Sequence, residues 1–170
     1  MIMKVSATLF TVVFASAGIA IGAPQLPRAT GTTSAAAATG SQIRAVQDPV
    51  FHFYLQNNVG TPMLGPESSS GYFTLGSTIA LNSDSSATPL YLNVNSSVST
   101  SYQPLTLDDT ASTTDWGLEG DTIILTNPRQ LNFLACATAD AAFYDVYVQN
   151  GNDTPGGSCT MITLHLPCLC

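Results

Sequence analysis

Leu90-Tyr91-Leu92-Asn93-Val94 alternates apolar with polar or amphipathic side chains, and the same beat returns in Phe51-His52-Phe53-Tyr54-Leu55-Gln56 and in Met161-Ile162-Thr163-Leu164-His165-Leu166. A period of two sends successive side chains to opposite faces of an extended strand, so one face meets a core and the other meets water. On this phase Phe51, Phe53 and Leu55 face inward, as do Leu90, Leu92 and Val94, and Ile162, Leu164 and Leu166. Further strands are read at 71–76, 78–81, 104–107, 122–126, 131–136 and 143–148. Turn clusters separate them: Asn57-Asn58-Val59-Gly60, Asn82-Ser83-Asp84-Ser85-Ser86, Asn127-Pro128-Arg129-Gln130 and Asn150-Gly151-Asn152-Asp153. No window carries the three-and-four spacing of an amphipathic helix. The expectation is a single all-β domain with little or no helix, an antiparallel β-sandwich or a partly closed β-barrel.

Outward from this domain, placed at residues 46–170, the chain changes character. Residues 23–45 include Ala29-Thr-Gly-Thr-Thr-Ser-Ala-Ala-Ala-Ala-Thr-Gly-Ser-Gln42, which holds no large apolar side chain to bury and reads as a flexible leader. Residues 1–22 read as a secretory signal. Lys4 is the lone n-region charge, an uncharged stretch runs from Val5 to Ile21, and Ala20 and Gly22 supply the small residues of a cleavage site before Ala23. Ser6, Thr8, Thr11, Ser16 and Gly18 interrupt that stretch, which disfavours a membrane anchor. The expected location is secreted, in the extracellular space or the cell wall.

The charge balance fits. The 170 residues are 45% hydrophobic but only 9% charged, with Asp+Glu 11 against Lys+Arg 4 and a net charge of −7. Globular chains average about 25% charged residues, so Ser, Thr, Asn, Gln and Gly must wet this surface. Nucleic acid and anionic membrane are excluded as partners, because both need clustered Lys and Arg and only Lys4, Arg28, Arg44 and Arg129 exist. Cleavage at Ala23 removes the one lysine, and with it any Schiff-base chemistry.

All four cysteines, Cys136, Cys159, Cys168 and Cys170, lie in the last third of the chain and would meet an oxidising compartment. Segments 131–136 and 143–148 read as a hairpin and Cys159 opens the next strand, which favours a Cys136–Cys159 bridge. Closing that loop contributes about 3 to 4 kcal/mol by the chain-entropy argument. Cys168 and Cys170 then remain for a tail bridge, for crossed pairing or for an intermolecular disulfide. Two acceptor sequons for N-glycosylation occur, Asn95-Ser96-Ser97 and Asn152-Asp153-Thr154.

No catalytic constellation stands out, and no cofactor is expected. His52 and His165 are the only histidines, and no Gly-x-Ser-x-Gly elbow is present. Acids gather at Asp108, Asp109, Asp115, Glu119 and Asp121 around Trp116, the sole tryptophan. Solvated loops are the plainest reading; a calcium loop near Asp115 and a pair of glycosidase carboxylates are the competitors. Trp116 reads as core, with sugar stacking as its minority role. Trp116, Tyr144, Tyr91 and Tyr102 are the aromatic candidates for sugar contact.

Trp116-Gly117-Leu118, Phe133-Leu134-Ala135-Cys136, Tyr144-Asp145-Val146-Tyr147-Val148, and Thr154-Pro155-Gly156-Gly157-Ser158-Cys159 leading into Ile162-Thr163-Leu164 follow one another in an order that resembles the fungal secreted cell-wall proteins of the PhiA type, a group overlapping with fungal IgE-binding antigens. The resemblance implies a small secreted wall protein linked to conidiation, without a catalytic site. Members of that group carry a cysteine in the N-terminal half, whereas this chain has none between Ala23 and Ala135. The functional expectation is a secreted, non-enzymatic, wall-associated or antigenic protein. A carbohydrate-binding or adhesive module, in contact with wall polysaccharide or glycoprotein, or a secreted effector, is the alternative.

Overall fold

A computed structural model describes residues 39–82 and 88–167 of the chain. The expected signal segment, most of the leader, Cys168, Cys170 and part of the Asn82–Ser86 turn lie outside the described residues. The described residues form an antiparallel, nearly closed, barrel-shaped sheet of 14 strands, with a single 3-10 turn at Glu67–Ser69.

One half is a meander. Strands β4 (Tyr72–Leu75), β5 (Ile79–Asn82), β6 (Leu90–Val94) and β7 (Tyr102–Asp108) pair in order, with Phe73 opposite Leu81, Ile79 opposite Leu92 and Leu92 opposite Leu107. Strand β7 then pairs with one edge of β12 (Tyr144–Gln149), whose first residues continue along β3 (Thr61–Gly65) on that same edge. The opposite edge of β12 carries β11 (Phe133–Ala137), which in turn carries β13 (Cys159–Ile162). From β3 the sheet runs through β2 (Tyr54–Asn58), β1 (Arg44–Ala45) and β14 (Leu164–His165) to β9 (Thr122–Thr126), which β8 (Trp116–Glu119) and β10 (Arg129–Gln130) flank. A bridge from Ser41 to Phe73 on β4 brings the chain that feeds β1 back to the far end of the meander. Phe73, Phe133, Ile43, Leu55, Leu64 and Ile79 are completely enclosed at its centre.

The C-terminal alternation holds in space: Ile162 and Leu164 are buried while Met161 is exposed. The N-terminal one does not. The strand starts at Tyr54 rather than Phe51, and Phe51 is 53% exposed in the β1–β2 connection, beside His52 with its φ of 60°. Within β2, Tyr54, Leu55 and Gln56 are all buried, because the Glu67–Ser69 turn covers the outer face. There the Gln56 amide donates to the Ser69 hydroxyl at 2.6 Å and accepts from Gly65 N at 3.0 Å. A Cβ on Gly65 would lie 1.9 Å from that amide and 2.7 Å from the Phe143 ring, so any larger residue would have to displace both. Gly65 and Pro62 are also why β3 escapes a propensity reading.

A second difference concerns the domain start. Residues 41–45, read as the end of the leader, are part of the sheet, and Ile43 and Ala45 are fully buried. Ile43 is the first large apolar residue after the low-complexity stretch 29–42, a single position too isolated to show a period. Entry into the sheet depends on Gly40, whose φ is 123° and whose Cβ, if present, would lie 2.8 Å from the Phe73 carbonyl oxygen. The Asn82 side chain holds the preceding Thr39 carbonyl.

Gly40→Ala is therefore expected to cost about 2 kcal/mol, the scale of a strained backbone residue, seen as a lower urea midpoint. A chain begun at Val46 is expected to lose the cooperative transition. The β2–β3 hairpin offers the opposite change. Its two-residue turn puts Val59 at φ 51° and Gly60 at φ 86°, where a β-branched residue is strained and Asn-Gly is favoured. Val59→Asn is expected to raise stability by about 1 kcal/mol at an unchanged denaturant slope.

Candidate functional site

Asn93, on β6, is 2% exposed and spends both ends of its amide on one loop. Its Oδ1 accepts from Ser112 N at 2.9 Å and from Thr113 N at 3.0 Å. Its Nδ2 donates to the Thr110 carbonyl at 2.8 Å and to Asp108 Oδ2 at 3.3 Å. The Thr113 hydroxyl accepts from Val94 N at 2.8 Å, and the Asp115 carbonyl accepts from Thr126 N at 2.7 Å. Segment 109–115 is thus fastened to β6 and to the end of β9.

Against this segment opens a cleft of about 440 Å³. Its polar lining comes from separate elements: Gln103 on β7, Asp115 on the fastened segment, Asn127 in the β9–β10 turn, Gln130 on β10 and Asn150 just after β12. Three of these form a relay across the cleft. Gln130 Nε2 donates to Asn150 Oδ1 at 3.2 Å, and Asn150 Nδ2 donates to Gln103 Oε1 at 3.0 Å. Gln130 Oε1 accepts from the backbone of Leu131 and Asn132, so the relay is anchored at one end. The Gln103 Nε2, the Asn127 amide and the Asp115 carboxylate have no partner among the described residues. A second trough of about 350 Å³, lined by Asp108, Thr106 and Asn95 among others, shares Val94, Ser96 and Ser112 with the first.

The residues singled out from sequence fall in different places. Cys136 and Cys159 face each other across β11 and β13, with Cα atoms 4.0 Å apart, and are joined by a disulfide. Asn95 and Asn152 are both exposed. Asn95 Oδ1 accepts from Ser97 N at 3.1 Å and from its hydroxyl at 2.6 Å, a local turn that leaves Nδ2 unpartnered. Trp116 is 3% exposed and donates from Nε1 to the Leu92 carbonyl at 2.9 Å, so it is core and has no face to offer a sugar. Tyr144 is half-buried and packs edge-on against Phe53 with ring centroids 5.7 Å apart, away from the cleft lining. Tyr102 meets Tyr147 in the same way at 5.6 Å. Burial pushes the Tyr147 phenol up, with the Asp145 carboxylate adding to the effect.

The acids disperse. Glu119 makes a two-pronged pair with Arg129, whose hydrogen bond holds the Glu119 carboxyl below its ordinary range; both groups are open to solvent. Asp121 lies 3.3 Å from His165 Nδ1, and Asp108 accepts from the Thr106 hydroxyl. Among the described residues no group of three or more His, Cys, Asp or Glu is placed to hold a metal. His52 stacks on Phe51 and meets Arg44 at 3.4 Å, while His165 meets the Thr163 hydroxyl at 2.8 Å. Of the cleft residues only Asp115 was a site candidate from sequence. The amides sat in turns and strands where nothing distinguishes them from other surface Asn and Gln.

Fold and site together define a small, disulfide-tied antiparallel β-barrel with a polar, amide-rich cleft at one end of the meander that holds one carboxylate, Asp115. Over residues 33–168 the chain matches the family described as a domain of unknown function, DUF7907, and it belongs to that family. No curated protein and no solved structure matches it.

Asn93→Ala strips the partners from two loop amides, and unmade buried hydrogen bonds cost on the order of 1–3 kcal/mol each. The variant is expected to unfold about 3 kcal/mol more easily and to lose amide-exchange protection at Ser112 and Thr113 first. Unchanged protection there would contradict the clamp.

Proposed function

We propose that the protein is a secreted, non-enzymatic β-domain that acts in the cell wall or against extracellular matrix. The observation that carries the reading is the Cys136–Cys159 bridge between directly paired strands, since disulfides persist in oxidising compartments. The signal-like residues 1–22 and the resemblance to PhiA-type wall proteins and IgE-binding antigens support it from the sequence side. So does the surface, which uses neutral amides and hydroxyls where an intracellular protein of this size would carry many charges. Asp121 and the Thr163 hydroxyl meet opposite ring nitrogens of His165, but that hydroxyl already accepts from Gln47 Nε2 at 2.6 Å and none of the three lines the cleft or the trough, which favours a binding or structural role over hydrolysis. The polar cleft favours a second reading, a carbohydrate-binding or adhesive module within the same extracellular setting.

Expression of the full chain in a fungal host tests the first reading. Tagged protein is expected in the medium and wall fraction, starting at Ala23, with Cys136 and Cys159 linked in non-reducing peptide maps and a mass that drops on N-glycan removal through Asn95 and Asn152. An intracellular product that retains Met1 would sink it.

A further inference from the structure

We propose that the cleft between segment 109–115 and the Gln130–Asn150–Gln103 relay is a binding site for a short neutral oligosaccharide. The ligand class follows from what lines it. Among the described residues Asp115 is the cleft's sole charged group and none supplies a cation to its lining, so phosphate, sulfate and uronic acids meet repulsion without compensation. What remains to be satisfied is a half-buried carboxylate, which accepts only, and the amides of Gln103 and Asn127. A polyol complements that set, because each hydroxyl donates one hydrogen bond and accepts others. A purely apolar ligand would leave the carboxylate and both amides unpaired.

The volume, about 440 Å³, lies in the range of small-molecule sites. The site is also built before the ligand arrives. Asn93 fixes one wall, and the relay fixes the floor from β10 to β7, so little ordering remains to be done on binding. Val94, Leu125 and Pro128 supply the apolar patches against which C–H faces of a sugar can lie. With no aromatic in the lining, binding is expected in the millimolar range.

This deepens the matrix-facing role proposed above by naming a ligand class, yet its test runs on purified protein and does not depend on where the protein travels. The full chain, 15N-labelled and freed of N-glycans, is titrated with neutral fragments of laminarin, cellulose and mannan, and with anionic oligogalacturonate. Saturable shifts of the Gln103 and Asn127 side-chain amide signals are expected with at least one neutral series and none with the anionic one. Asp115→Asn and Asn127→Ala alter side chains that hold nothing in the described fold, so both should keep the parent's spectrum and melting behaviour. Asp115→Asn should weaken binding about tenfold, the scale of a lost charge-assisted hydrogen bond. No saturable shift with any neutral series, equal binding of oligogalacturonate, or parent-like binding by both variants would overturn the proposal. Wall localisation could stand in each of those cases, and a failed secretion test would leave a measured sugar affinity untouched.

Discussion

Ser41 and Phe73 exchange two backbone hydrogen bonds, Ser41 N to Phe73 O at 2.9 Å and Phe73 N to Ser41 O at 2.8 Å, and the closure of the barrel rests on that pair. Two residues further on, Ile43 O accepts from Leu55 N at 2.7 Å, and then Arg44 and Ala45 pair with His165 and Leu164. Five consecutive residues thus touch the end of the meander, the β2–β3 hairpin and the C-terminal strand. Without them β4 would present an open edge and Phe73 would lose one wall of its enclosure. Because the segment pairs with both residue 73 and residue 165, the ring closes only when nearly the whole domain is present. The Cys136–Cys159 bridge, spanning 23 residues, locks a more local part of the same sheet. It lowers the entropy of the unfolded chain by about 3 kcal/mol on the loop-closure estimate, independently of the N-terminal closure.

A barrel closed by short strands leaves long connections at its ends, and these need polar anchors because the sheet ladder does not reach them. Asn93 is the anchor for segment 109–115, taking the place of the strand pairing that Ser112 and Thr113 lack. Buried Gln56 does the same under the Glu67–Ser69 turn, and Gln149 holds the Asp153 carbonyl beyond β12 at 2.8 Å. The three buried polar residues among those described are all amides with one loop each. Neutral amides suit this work, since each offers donors and an acceptor at once and burying them carries no charge desolvation. The cleft is a by-product of that anchoring. Once segment 109–115 is pinned to β6, the space between it and β10 is fixed in width, and the amides of β7, β10 and the β12 exit fill its floor.

The fold class was readable because period two survives wherever one face of the sheet meets water, as in Ile162 and Leu164 against exposed Met161. It failed where that condition failed. Around Tyr54–Gln56 both faces are covered, so burial no longer alternates, and Phe51 is exposed although its pattern says inward. The Cys136–Cys159 pairing was accessible because a hairpin followed by a third strand brings its ends into register. Ser41–Ala45 was not, since two residues of strand and one buried isoleucine generate no period at all. The cleft was the least readable feature. Gln103, Asn127, Gln130 and Asn150 become a group only through the crossing of β7, β10 and the end of β12, and spacing along the chain carries no trace of that crossing.

The low charge acquires a structural meaning from these arrangements. Ion pairs need solvated room and long side chains, and on this barrel the exposed Glu119–Arg129 pair links β8 and β10, the strands that flank β9 on opposite sides. Asp121 beside His165 and Asp108 beside the Thr106 hydroxyl are further titratable contacts, but most of the remaining polar work falls to amides and hydroxyls, whose hydrogen-bonding pattern does not change with pH and whose contacts salt barely screens. In the cleft only the Asp115 carboxylate departs from this rule, so it supplies the single strong acceptor in a lining otherwise made of groups that both donate and accept. Asp115 apart, such a surface keeps its hydrogen-bonding pattern as acidity varies. A charged surface built for electrostatic steering would not, and that contrast is the physical argument for the neutral, hydroxyl-rich ligand proposed above.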